Sequence, residues 1–310
     1  MPDVFRTPEE RFAVLRDYPF SPNYIEWEGL RMHFVDEAPA GAGLDAPVIL
    51  MTHGMPTSSY LYRRMIPPLT RAGFRCVAPD HIGFGKSDKV LDDDWYSIER
   101  HSQACAHLIR TLDLQNVTLL CQDWGGPIGL RQPADMPERF ERLVILNTWL
   151  HRPDYPYSKA LRDWNSSWHD GGAMDTLQGC GFVLRRSLVT WPRGSSPLSP
   201  EQAFEMYEAP FPDRASKAGP RRFPLSLPFD NRVGGNAAVQ QRCFEDLKSW
   251  DKPVHFVWGD KDDIFTVESG REWAALYSQA TFDTVDAGHF LQESHGPEIV
   301  EILLRRISEE

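Results

Sequence analysis

Short apolar runs alternate along the first half of the chain with longer segments whose apolar positions recur at helical spacing. Val48-Ile49-Leu50-Met51-Thr52 predicts a strand, as do Arg75-Cys76-Val77-Ala78, Val117 to Cys121, and Leu143-Val144-Ile145-Leu146. Between them, His101 to Leu112 predicts a helix, because Ala104, Leu108, Ile109 and Leu112 fall on one face. A further helix is expected from Gly125. Strands apolar on both faces and separated by helices imply a parallel sheet covered on both sides.

The rhythm breaks after Asn147. From Trp149 to about Pro228 the chain is dense in Trp, Pro, Tyr, Arg and Gly, with no strand pattern. It resumes with strands over Pro253 to Trp258 and Thr281 to Val285, and a closing amphipathic helix over Pro297 to Ile307. The expected fold is α/β, with a mostly parallel central sheet flanked by helices. Residues 1–148 and 229–310 form its core, and residues 149–228 are an inserted helical cap. Such an insertion sits over the C-terminal ends of the strands, where open α/β sheets bind ligands.

Composition narrows the classes. With 310 residues, 41% hydrophobic and 25% charged, the chain excludes disorder, collagen and coiled coil. The net charge of −11, without any Lys/Arg-rich block, argues against nucleic acid as a partner. The apolar runs are of strand length, so no membrane span is expected, and the first ten residues do not read as a signal peptide. Cysteines 76, 105, 121, 180 and 243 are odd in number and scattered, which fits buried thiols in a reducing cytoplasm.

The chemistry concentrates at three loops. Cys121-Gln122-Asp123-Trp124-Gly125-Gly126 joins a strand to a helix with the small-x-nucleophile-x-small spacing of a nucleophile elbow, and Asp123 occupies the nucleophile position. The N-terminus of the following helix favours the ionised carboxylate, the form that attacks. Asp262 follows the strand ending at Trp258, and His289 follows the next strand. Nucleophile, acid and histidine in that order is the α/β-hydrolase arrangement. Asp260 and Asp263 are rival acids; Asp262 is preferred because it lies three residues past Gly259. His53-Gly54-Met55-Pro56 supplies an oxyanion site, in which the backbone N–H groups of Met55 and Trp124 are the expected donors.

An Asp nucleophile points away from acyl transfer. Attack on an ester would give a mixed anhydride, whereas attack on a saturated carbon bearing a leaving group gives an ordinary ester. Halide or epoxide oxygen is then the leaving group, and His289, oriented by Asp262, is the base that activates water against the ester. The Trp124 indole N–H, which only donates, suits a departing halide. Gly83-Phe84-Gly85-Lys86-Ser87 ends like a P-loop but has Asp80 where the first glycine belongs. It reads as a turn. His101, Cys105 and His107 do not share one helix face, so no metal site is expected.

Ordered blocks along most of the chain resemble the haloalkane dehalogenases. They include Phe5-Arg6-Thr7-Pro8-Glu9-Glu10, Tyr18-Pro19-Phe20-Ser21-Pro22-Asn23-Tyr24, His53-Gly54-Met55-Pro56-Thr57, Gly83 to Lys89, Gln122 to Gly126, Ala209-Pro210-Phe211-Pro212-Asp213 and Arg222-Phe223-Pro224. The likeness is to the subfamily whose catalytic acid follows the later strand. It implies Asp123 as nucleophile, His289 as base, Asp262 as acid and Trp124 as first halide donor. A cap tryptophan is implied as second halide donor. Counting back from Gly181-Phe182-Val183-Leu184 gives Trp168, with Trp164 as the fallback. Phe223 and Pro224 match pocket-wall positions.

Two positions depart from the family pattern. Met55 stands where the subfamily has Glu and a sister subfamily has Asn, and Pro127 stands where a pocket aromatic is sometimes found. Asn147-Thr148 offers no acid after the earlier strand. The implied reaction converts a small haloalkane and water to a primary alcohol, halide and a proton, with no cofactor and no metal, in a monomer or weak homo-oligomer. The competing reading is an epoxide hydrolase using cap tyrosines 155, 157 and 207, against which Gln122 replaces the His usual before that family's Asp.

Overall fold

The apolar runs from Val48 to Thr52, Arg75 to Ala78, Val117 to Cys121 and Leu143 to Leu146 are buried along their whole length, whereas Thr281 to Val285, at the sheet edge, is only partly buried. In the computed structural model, which describes residues 2–42, 46–169, 198–229 and 236–310, the strands are β1 (Val4–Phe5), β2 (Asn23–Trp27), β3 (Leu30–Glu37), β4 (Val48–Thr52), β5 (Arg75–Pro79), β6 (Lys89–Val90), β7 (Val117–Cys121), β8 (Phe140–Leu146), β9 (Val254–Gly259) and β10 (Thr281–Val285). Eight of them form one sheet in the order β10-β9-β8-β7-β4-β5-β3-β2. From β10 to β5 all neighbours are parallel; β3 and β2 add antiparallel at the far edge. β1 and β6 form a separate antiparallel pair.

The α/β architecture is as expected, and the differences are local. The β2–β3 hairpin adds to the anticipated elements. Its signal is Glu28-Gly29, whose positive φ values of 51° and 77° make a tight reversal between alternating flanks. The helix expected from His101 runs Ile98–Thr111, because the Ser97 hydroxyl caps it by accepting from the Arg100 N–H at 3.2 Å. The last helix spans Leu291–Ser308 and bends at His295, just before Pro297, whose ring cannot follow a regular turn. The P-loop-like segment is a turn, closed by the Lys89 ammonium donating to the Gly85 and Ser87 carbonyls at 2.8 and 3.0 Å.

Two features of the layout position the site. The sheet order reverses at β4, since the chain leaves β4 for β5 on one side and later for β7 on the other. A crevice therefore opens at the C-terminal ends of β4 and β7. Between β8 and β9, the described residues contain helices Lys159–His169, Pro200–Glu208, Ala218–Leu225 and Ala237–Leu247, and no strand. The first and third of these pack together, and the Asn165 side-chain amide donates to the Pro224 carbonyl at 2.6 Å. Residues 181–184 and Cys180 lie outside the described residues. Among the described residues no helix is long and apolar enough to cross a membrane.

Candidate active site

Asp123 follows β7 in a left-handed conformation, φ 52°, that costs a non-glycine residue about 1–3 kcal/mol. The surroundings hold it there. Its N–H donates to the Asn147 carbonyl at 3.0 Å, its carbonyl accepts from the Gly126 N–H at 2.9 Å, and the Thr148 hydroxyl donates to the same carbonyl at 2.5 Å. The elbow also needs missing side chains. A Cβ on Gly125 would overlap the Thr52 carbonyl, and one on Gly54 would overlap the Asp123 carboxylate itself.

The three residues expected to act together do converge. His289 Nε2 lies 3.3 Å from Asp123 Oδ2, and its Nδ1–H donates to Asp262 Oδ2 at 2.9 Å. Asp262 is buried while Asp260 and Asp263 are exposed, which separates the acid from its rivals. Its carboxylate also accepts from the Asn147 amide at 2.7 Å and from the Ile264 N–H at 2.8 Å. Burial opposes protonation of His289. The Asp262 charge, together with hydrogen bonds to Asp123 and Asp262, outweighs it and raises the imidazole pKa to about 10.

The oxyanion loop follows β4. The Met55 N–H, the donor expected from the sequence, donates to Asp123 Oδ1 at 2.7 Å. His53 fixes that loop. Its Nδ1–H donates to the Gly54 carbonyl at 2.7 Å, and its Nε2 accepts from the His81 N–H at 3.0 Å. The second bond requires a lone pair on Nε2 and so a neutral ring, and burial lowers the His53 pKa accordingly.

Trp124 is buried and packs edge-on against Phe223 at 5.2 Å and Trp149 at 4.7 Å between ring centroids. Trp149 stacks on Phe265, which in turn faces His289 at 5.6 Å. One aromatic wall thus runs from Phe223 to the histidine. On the inserted helix Lys159–His169, Trp168 is 8% exposed and joins the same buried cluster as Trp124 and Phe223. Its indole nitrogen is buried with no protein hydrogen-bond partner, whereas Trp164 is only half-buried. Pro224 is buried beside Phe223.

Several contributors were not evident from residue type. In the sequence Asn147 stands out only for not being an acid. Its amide instead clamps the acid loop, accepting from the Gly259 N–H at 2.7 Å while donating to Asp262. Trp149 and Phe265 gave only the general signal of aromatics just past strand ends. His101 and Cys105 are buried while His107 is half-buried and bonded to the Glu26 carbonyl, and no cluster suited to a metal ion occurs among the described residues.

Comparison with known proteins agrees with this arrangement. Residues 47–296 match the alpha/beta hydrolase fold family. A haloalkane dehalogenase from Psychrobacter cryohalolentis is 37% identical, the alignment covering 98% of both chains. One from Mycolicibacterium paratuberculosis is also 37% identical over 97% of each. A tetrameric haloalkane dehalogenase from Paraglaciecola agarilytica superposes with a TM-score of 0.85 at 33% identity, covering 97% of each chain. With an elbow aspartate, an acid after β9 and a histidine after β10 on this sheet, the chain belongs to the haloalkane dehalogenase family of the alpha/beta hydrolase fold.

Proposed function

We propose that this chain hydrolyses small haloalkanes to a primary alcohol, halide and a proton, with Asp123 as nucleophile. The observation that carries the reading is the Asp123 carboxylate, with one oxygen on the Met55 N–H and the other facing the His289–Asp262 pair. In the first step an Asp123 oxygen attacks the carbon bearing the halogen, the carbon–halogen bond breaks, and the halide leaves with the bonding pair. The Trp124 indole, with that of Trp168 from the cap, receives the ion. An unpartnered indole N–H on Trp168 supports its role over Trp164. Phe223 and Pro224 wall the pocket, residues 149–228 form the cap, and residues 1–148 with 229–310 form the core.

The second step hydrolyses the alkyl ester. While Asp123 is ionised, two carboxylates hold the proton on His289. Esterification removes one of those charges, the imidazolium releases its proton to solvent, and the neutral ring can then take a proton from water. Hydroxide adds to the Asp123 carboxyl carbon, and the oxyanion forms against the Met55 N–H, with the Trp124 N–H as the second donor. Collapse expels the alcohol and restores the carboxylate. No cofactor or metal enters this sequence.

The epoxide alternative requires free phenols above the nucleophile. The Tyr207 hydroxyl is instead bonded to Glu293 at 2.8 Å, and that of Tyr157 to His151 at 2.7 Å, while Tyr155 is buried. Buried, unpaired Cys76, Cys105, Cys121 and Cys243 support a cytoplasmic setting. The test is His289→Ala incubated with 1-bromobutane or 1,2-dibromoethane. Intact mass spectrometry should show Asp123 alkylated and stable. A parent protein that releases no halide, together with a variant that forms no adduct, would refute the assignment; styrene oxide turnover without halide release would favour the epoxide reading.

A further inference from the structure

Gln122 directly precedes the nucleophile and is fully buried. Its amide nitrogen lies 3.0 Å from the main-chain carbonyl oxygen of His289 and 3.2 Å from Nε2 of the same residue's ring. A carbonyl oxygen only accepts, so the group against it must be the NH2, and this fixes which way the amide points. One amide hydrogen serves the carbonyl. The other faces Nε2, which can accept it only through a lone pair, in a neutral ring whose proton sits on Nδ1 against Asp262.

Asp123 Oδ2 reaches the same ring nitrogen from another direction, at 3.3 Å. A carboxylate needs a proton on Nε2, whereas the Gln122 amide needs none there. The nitrogen therefore stands between an acceptor and a donor and satisfies one at a time. The titratable groups facing the ring are Asp123, from the elbow after β7, and Asp262, from the loop after β9; Phe265 and Phe290 cover its remaining neighbours without charge. Behind the carboxylates, Tyr62 and His53 approach Asp123 and Tyr155 approaches Asp262, and burial keeps all three neutral.

We infer that Gln122 is a positioning residue for the second step, holding His289 with a lone pair on Nε2 once Asp123 has become an ester. The inference rests on the reaction proposed above. While Asp123 is ionised, its charge keeps the Nε2 proton and the amide contact is the weaker partner. Alkylation cancels that charge, and the amide donor then favours the ring form that accepts a proton from water. Alkyl-enzyme formation, in which His289 transfers no proton, does not depend on Gln122. Ester hydrolysis does.

The experiment follows alkyl-enzyme formation and decay separately, by quench-flow and intact mass spectrometry with 1-bromobutane, across the range in which histidine titrates. In Gln122→Met the pH midpoint of ester decay should rise by about one unit, slowing decay about tenfold at pH values well below the parent's midpoint, with formation unchanged. Gln122→Glu keeps the shape and places a carboxylate against Nε2, so its midpoint should rise further. Should the Met variant fail to fold, the Glu variant decides alone. A decay midpoint unmoved from the parent's, or equal losses in both steps, overturns the inference while leaving the nucleophile assignment standing. A parent chain that forms no alkyl-enzyme overturns both.

Discussion

The two sides of the site are built differently. On the strand side, Asp123, Asp262, His289 and the Met55 loop are each held by short hydrogen bonds from backbone groups or from Asn147, Gln122 and His53. On the inserted side, Phe223 meets the site through ring edges, and Trp168 is held by packing, with an amide tie from Asn165 to Pro224 nearby. In the proposed reaction, displacement at carbon and attack on an ester demand fixed angles, which hydrogen bonds to strand ends impose. The proposed role of the inserted side, receiving a large, polarisable ion and an alkyl chain, demands fit, which packed rings supply.

The sharpest way to break this contrast is on the strand side. Asp262→Asn keeps the shape but removes the charge that holds His289. It should lower steady-state halide release by roughly three orders of magnitude, with the alkyl-enzyme accumulating because the first step survives. A loss of both steps alike would mean that Asp262 mainly supports the fold. On the lid side the effect should be smaller and confined to binding. Trp168→Phe should weaken bromide binding about tenfold or more, the worth of one hydrogen bond to a charged group, as read by tryptophan fluorescence quenching. Trp164→Phe should leave it near the parent value. The reverse order would move the second donor to Trp164.

A last prediction, read in stability and not in turnover, tests how firmly the scaffold side is set. Burial lowers the His101 pKa from 6.5 to about 3. Below pH 6.5 the unfolded chain takes up a proton that the folded chain refuses. Stability should therefore fall as pH drops from 6.5 toward 3, with a slope of at most about 1.4 kcal/mol per pH unit from this residue. His53 and His81, whose tilted rings lie in the same cluster and which are also held neutral by burial, act in the same direction. His101→Phe should flatten the dependence of the urea midpoint on pH. An unchanged slope would assign the acid sensitivity elsewhere.

Much of this was legible before any coordinates. The parallel core followed from β-branched runs such as Val48 to Thr52, and the elbow from the small residues flanking Asp123. The hairpin at Glu28-Gly29 carries a local turn signal and its strands pair with each other, but its place in the sheet depends on β3 pairing with β5, a strand about forty residues further on that no crossover helix announces. Asn147 and Gln122 were visible only as residues that failed to match something else.

The order of chemical groups along the chain determined the reaction class, because the elbow spacing and the aspartate within it are local properties of a short segment. Only the tertiary structure decided which of three neighbouring aspartates is buried against His289, and which way the Gln122 amide faces. Those choices depend on the directions in which side chains leave strands distant in sequence. Direction at an imidazole nitrogen is set by neighbours in space, which linear spacing does not encode.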